Sequence, residues 1–223
     1  MENQFEKATI GDKIAQFVTS VRGILIAVVA VLVVVVAAYG ICSTLVTKSS
    51  QKALADIDSI SYNLTKDSAA LSDEELEARK VSALAALEPY TAKNGVAGVR
   101  ADMLAAEILF SQGNNEAAAE KWVSAAKKGS KSYTAPLAYF NAGAAYENLG
   151  KLDDAAASYE KAVSYGDFDQ IAHAQFSLGR VHEAKGETDE AVKVYTELFD
   201  AVPSDSWAKL AKSRLIVLTA DKE

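Results

Sequence analysis

The sequence predicts an all-α chain: a single N-terminal transmembrane helix followed by an α-solenoid with capping helices. Three observations predict it. Residues 23–46, GILIAVVAVLVVVVAAYGICSTLV, carry no charge and form one long apolar run. Outside that run the chain is rich in Ala, Lys and Glu and has few prolines, a composition that favours helix. Between residues 99 and 203 a pattern of glycine, alanine and aromatic residues recurs at a nearly fixed interval, which indicates stacked helical repeats.

The N-terminal tail, residues 1–22, balances Lys7, Lys13 and Arg22 against Glu2, Glu6 and Asp12. The 24 uncharged residues that follow span roughly 36 Å as a helix, enough for a hydrocarbon core of about 30 Å. Backbone in lipid must satisfy its own hydrogen bonds, so this valine-rich segment is expected to be helical. Arg22 on one side and Lys48 and Lys52 on the other can reach the interfaces. Two rivals are a cleaved signal peptide, whose apolar core is only about 7–15 residues long, and a lipoprotein signal at Cys42. The residues before Cys42, Tyr39-Gly40-Ile41, do not suit the latter, which wants a small residue there. Basic residues number three on the N-terminal flank and three (Lys48, Lys52, Lys66) in the twenty residues after the run. Charge therefore leaves the orientation open.

Residues 47–71 are a helical stalk and hinge. Ala53, Leu54, Ile57, Ile60 and Leu64 fall at helical spacing, as a continuation of the membrane helix or an amphipathic stalk, and the hinge lies at 65–71. The repeat domain occupies 72–223. Ser72 and Glu75 form a capping box with Leu71 and Leu76 as its hydrophobic staple, so a helix starts near residue 73. It should end by Asn94-Gly95. Its apolar face, Ala83, Leu84, Leu87 and Tyr90, can cover the open side of the first repeat.

Three windows then share a glycine, an alanine five residues later, an aromatic nine later and a small or apolar residue twelve later. They are Gly113, Ala118, Trp122, Ala125; Gly150, Ala155, Tyr159, Ala162; and Gly186, Ala191, Tyr195, Leu198, with the glycines 37 and 36 residues apart. The glycine can take the left-handed conformation that ends a helix. The alanine allows two helices to cross closely, and the aromatic fills the space between repeats. Seven residues before each glycine sits another small residue, Ala106, Gly143 or Gly179, which lets the first helix of the repeat approach its partner.

These residues resemble the tetratricopeptide repeat pattern. The second window, with Tyr139, Ala142, Gly143, Tyr146, Gly150, Ala155, Tyr159 and Ala162, follows it best, and Pro203 stands at the motif's terminal proline. Asp102 replaces a large apolar residue, Gln175 and His182 replace aromatic ones, and the period exceeds 34 slightly. The repeats span about 99–132, 136–169 and 172–205, followed by a C-terminal capping helix at 205–219. Its apolar stripe is Trp207, Leu210, Ala211, Leu215 and Leu218.

Nothing in the sequence suggests chemistry. His173 and His182 are spaced so that they do not share a helix face, Cys42 is the single cysteine, and there is no phosphate loop or hydrolase motif. Asp153-Asp154 and Asp189-Glu190 fall in first helical turns, where they complement the helix dipole. The expectation is a non-enzyme without cofactor or metal. The formal net charge of −7 lies wholly outside the balanced tail and argues against nucleic acid as a ligand.

The resemblance implies that a partner protein or peptide is contacted by the second, fifth, ninth and twelfth positions of each repeat. In the first repeat these are Arg100, Met103, Glu107 and Phe110; in the second Leu137, Phe140, Ala144 and Glu147; in the third His173, Phe176, Arg180 and Glu183. Phe140 and Phe176 are equivalent, so an aromatic floor with Phe110 and Met103 nearby is expected, suited to an apolar or amphipathic peptide. A rival reading packs these phenylalanines inside the repeats or against the stalk. Some family members clamp a C-terminal carboxylate with Lys and Asn where this chain has Met103 and Glu107, so that ligand does not fit.

The order of tail, single span, stalk and acidic repeats also resembles the bacterial ancillary subunit of the Sec translocon. The stretch from Leu84, Leu87 and Tyr90 through Ala105 and the first repeat is most similar. That resemblance implies a single-pass protein of the bacterial inner membrane with periplasmic repeats. It would act as an envelope chaperone- or translocon-associated adaptor, with the Sec translocon and periplasmic chaperones as partners. Two alternatives keep the same parts: a generic membrane-complex scaffold, and an organelle import receptor with cytosolic repeats.

Overall fold

The computed structural model describes residues 9–220, apart from the side chain of Leu25. They form nine α-helices and one 3₁₀ turn, with no strand among the described residues. The chain divides into two compact units, Met1–Gln51 and Lys52–Glu223.

In the first unit the helix α1 (Ile10–Thr65) begins twelve residues before Arg22. The reason is local. Thr9 and Asp12 exchange capping bonds, the Thr9 N–H donating to Asp12 Oδ2 at 2.9 Å and the Asp12 N–H to Thr9 Oγ1 at 3.4 Å. The apolar side chains from Ile26 to Val46 are exposed. Among the described residues this is the one helix long and apolar enough to cross a membrane.

The second unit opens with the last turns of α1. Ala53 and Ile57 are buried with Ala83 and Leu87 of α2 (Asp73–Thr91) and with Ala97, Ala101, Ala105 and Ile108 of α3 (Gly95–Ser111). A turn through Asp67, which has φ 52°, and the 3₁₀ segment Ser68–Ala70 separates α1 from α2. The Ser72–Glu75 capping box is present, with Ser72 N–H to Glu75 Oε2 at 2.9 Å.

Three helix hairpins follow: α3 with α4 (Asn115–Lys128), α5 (Thr134–Asn148) with α6 (Leu152–Val163), and α7 (Ile171–Ala184) with α8 (Thr188–Ala201). Helix α9 (Ser206–Ala220) packs on α7 and α8. All three hairpins turn in the same way. Gly113, Gly150 and Gly186 have φ of 76°, 69° and 76°, a region that costs any residue with a Cβ. Each glycine N–H bonds three residues back and the next N–H five back, as in Asn114 to Leu109, Lys151 to Tyr146 and Glu187 to His182. That pair of bonds is the Schellman cap.

The core is built from alanines. Ala118, Ala155 and Ala191, the recurring residues five after each glycine, are fully buried, as are Ala106, Ala142 and Ala174. Small side chains let the helix axes approach, and the larger rings then fill the remaining space. At Gly143 and Gly179 the fit is tightest. A Cβ there would stand 2.7 Å from Tyr159 Cε1 and 2.4 Å from Tyr195 Cε1. Beyond close helix approach, each of these glycines seats the ring of its own repeat's second helix.

Candidate functional site: the face of the first helices

The twelve positions expected to contact a partner lie on α3, α5 and α7, and the structure sorts ten of them into three groups. Three of them, Glu147, Arg180 and Glu183, tie repeats together. Glu147 Oε2 accepts from the Tyr159 hydroxyl at 3.0 Å and from Arg180 at 2.9 Å. One repeat later Glu183 Oε1 accepts from the Tyr195 hydroxyl at 2.6 Å and from Arg214 Nε at 3.0 Å, and Oε2 accepts from Arg214 as well. The same rung therefore joins α5 to α7 and α7 to α9. Burial, with the carboxylate beside it, pushes both tyrosine hydroxyls well above the ordinary phenol range. Arg214 and then Tyr195 hold Glu183 below the ordinary glutamate range.

A second group forms a chain of rings. Phe140 lies 5.7 Å from Tyr159, 6.1 Å from Phe168 and 4.7 Å from His173. His173 stacks on Trp207 at 3.7 Å with planes 6° apart, and Phe176 sits 5.4 Å from Trp207 and 5.6 Å from Tyr195. Phe140, His173 and Phe176 are half-buried by these contacts. Burial, and then the charge of Arg180, lowers the His173 pKa and favours its neutral form. Leu137 packs inward against Ala162, Phe168 and Ala174. These rings are packed between repeats and do not lie open as a floor.

The first repeat differs. Arg100, Met103 and Glu107 line an open cleft of about 940 Å³ with Ile57, Val96, Val99, Leu104 and the α4–α5 turn from Lys128 to Thr134. Arg100 is neutralised by Asp58 at 2.5 Å. Glu107 is exposed and has no hydrogen-bond or ion-pair partner among the described residues, and partial desolvation raises its pKa. Phe110 lies outside this cleft, 5.3 Å from Trp122. Ala144 is half-buried on α5.

Asp102, the departure from the repeat pattern, shapes the wall of the cleft. It is fully buried, and its Oδ2 accepts from Ser124 at 2.6 Å and from Lys128 at 2.5 Å. Lys128 also donates to the carbonyl of Thr91, at the end of α2. One buried carboxylate thus fastens α2, α3 and α4. In the third repeat His182 Nδ1 lies 2.7 Å from Glu187 Oε2 in the α7–α8 turn, which accounts for a polar ring at an aromatic position.

Sequence reasoning missed one row of residues. Helix α9 was expected as a cap, yet Trp207 and Arg214 bear on α7 as His173 and Arg180 bear on α5. Numbered from Ser206, they occupy the second and ninth positions of a further first helix. The signal was present: Arg180 to Arg214 and Ala174 to Ala208 are each 34 residues apart.

Stacked hairpins with a shared row of first helices define a helical-repeat protein-interaction scaffold. Two stretches, residues 71–134 and 140–206, match the tetratricopeptide repeat family. The chain belongs to that family. A TPR repeat-containing protein of Treponema pallidum is 31% identical over 147 residues, 65% of this chain and 62% of the relative. The chain thus spans less than two thirds of that relative's length. The solved structure of a kinesin light chain from Podosopora anserina with nearly identical TPR-like repeats has a TM-score of 0.56 at 12% identity, covering 77% of this chain and 87% of that one. This second likeness is one of fold.

Proposed function

We propose that the chain is a membrane-anchored, non-enzymatic scaffold whose first repeat binds an apolar or amphipathic segment of a partner protein. One observation carries this reading. The cleft of about 940 Å³ is lined by three positions that contact partners in the family, and it combines apolar side chains, Val96, Val99, Met103 and Leu104, with the exposed carboxylate of Glu107, which has no partner among the described residues. An apolar side chain would fill the space beside Met103 and Leu104, and a polar or basic neighbour would meet Glu107.

The uncharged run in α1 is the anchor, and the repeats lie on the periplasmic side of a bacterial inner membrane, where the protein serves as an adaptor beside the Sec translocon and envelope chaperones. The order of parts and a relative in Treponema pallidum support this setting. Protection of the repeats from protease in intact cells, and their digestion once the outer envelope is opened, is the expected result. Digestion only after lysis of the inner membrane would instead place the repeats in the cytosol, as in the import-receptor alternative.

For the cleft itself, a photo-crosslinking residue at Met103 should yield protein adducts, and one at exposed Lys161 should not. Adding Met103→Asp to a crosslinker at Arg100 should remove the adducts while leaving helicity unchanged. Equal adduct yields from both faces would sink the proposal.

A further inference from the structure

The cleft of the first repeat is a stripe along one helix. Val96, Arg100, Met103 and Glu107 follow one another on α3 at steps of four, three and four residues, which sets them on one face over about 16 Å. The α4–α5 turn stands opposite, fixed beside the first half of α3. A Cβ added to Gly129 would lie 3.0 Å from Val99 Cγ2, and one added to Gly98 would lie 3.4 Å from Lys128 Cδ. Among the described residues outside α1, the two most exposed large apolar side chains are Tyr133, at 86%, and Val96, at 64%. Both line this cleft, one from the turn and one from α3. Apolar side chains left open at a concave site are where a partner buries its own.

Four charged side chains line the same cleft, and two of them are already matched. Arg100 pairs with Asp58 and Lys128 with the buried Asp102. Lys131 and Glu107 are exposed and have no partner among the described residues. They also stand apart. Lys131 is on the turn, beside the first half of α3, whereas Glu107 is eight residues beyond Val99, about 12 Å further along the helix. The cleft therefore has a basic end and an acidic end, with apolar surface between them.

Resting on the reading of this cleft as a partner site, we propose that its occupant is an amphipathic helix of mixed charge. An acidic residue meets Lys131, a basic residue about two turns away meets Glu107, and the apolar face between them lies against Val96, Met103 and Tyr133. The walls are a helix and a turn, with no strand edge, so an extended segment would find no ladder to join. A helix arrives with its backbone bonds already made and needs only side-chain contacts. A segment with two acids or two bases would leave one end of the cleft facing a like charge.

The test titrates the full chain, in phosphatidylcholine nanodiscs, into three fluorescent helical peptides that share one leucine face. Two positions about two turns apart carry Glu and Lys, two Glu, or two Lys, and empty nanodiscs give the lipid background. At low salt the Glu/Lys peptide should bind about threefold or more tighter than the other two, and the preference should fade as salt rises. Glu107→Lys should move the preference to the two-Glu peptide, and Lys131→Glu to the two-Lys peptide. A proline at the centre of the Glu/Lys peptide should weaken binding about tenfold or more. Binding that is lost with Met103→Asp but ignores the peptide charges, or tolerates the proline, would overturn this inference and leave the cleft as a partner site. Binding that survives Met103→Asp, or that never exceeds the empty nanodiscs, would overturn both.

Discussion

The first repeat and the two after it share a backbone but close their seams with different chemistry. In the second and third, the twelfth position is Glu147 or Glu183, and it accepts from a tyrosine of the same repeat and an arginine of the next helix. In the first, the twelfth position is Phe110, the tyrosine is replaced by Trp122, and the arginine of the next helix is replaced by Ala144. Trp122 is buried, and its Nε1 has no acceptor among the described residues. The rung is missing there, and the open cleft lies against the same helix, lined by Met103 and Glu107. One fold thus supports a stapled end and an open end, and a few side chains at fixed repeat positions decide which is which.

That contrast can be broken most severely at the open end. Asp102→Ala leaves Lys128 without its buried partner, a change that typically costs about 3 kcal/mol. Chemical unfolding should show it, and the cleft wall formed by Lys128–Thr134 should become protease-sensitive. Next comes the seat of the rings. Gly179→Ala drives a methyl into the fully buried Tyr195 ring and should cost about 2 kcal/mol by overpacking. Ala106→Gly, at the equivalent place in the first repeat, should cost only about 1 kcal/mol through helix propensity.

Removing a rung should matter less. Glu183→Gln should lose about 1 kcal/mol, because Arg214 is partly exposed to solvent. Its pH dependence has a defined sign. The folded-state pKa of Glu183 is lowered by Arg214 and Tyr195 from an ordinary value of 4.5. The rung's stabilisation is therefore complete above that value and disappears as pH falls through the folded one. Wild-type and Glu183→Gln stabilities should converge in acid; a gap that persists at low pH would assign the effect to packing. The smallest effect is a gain. Phe110→Glu with Ala144→Arg should install the missing rung and add about 0.5 kcal/mol, with Trp122 Nε1 acquiring an acceptor.

Much of this was readable beforehand, for physical reasons. A left-handed glycine, a buried alanine and a ring seated on a glycine each tolerate few residue types, so they recur visibly at Gly150, Ala155, Tyr159 and Gly143. Charged positions were harder. Glu147, Arg180 and Glu183 look like solvent-facing groove residues in one dimension, and their partners, Tyr159, Tyr195 and Arg214, lie 12 to 31 residues away. The pairing of Asp102 with Lys128 crosses a helix turn and has no local signature. The start of α1 at Ile10 did have one, the Thr9–Asp12 cap, which the long apolar run outweighed.

By itself, then, the sequence determined the helices, their period and the apolar run in α1, because those follow from local spacing and residue size. Which of the equivalent positions stay open was decided only by the tertiary structure. Burial and partnership depend on what the neighbouring helix presents. Phe140 and Phe176 find rings and are packed, Glu183 finds Arg214 and is tied, and Glu107 finds neither.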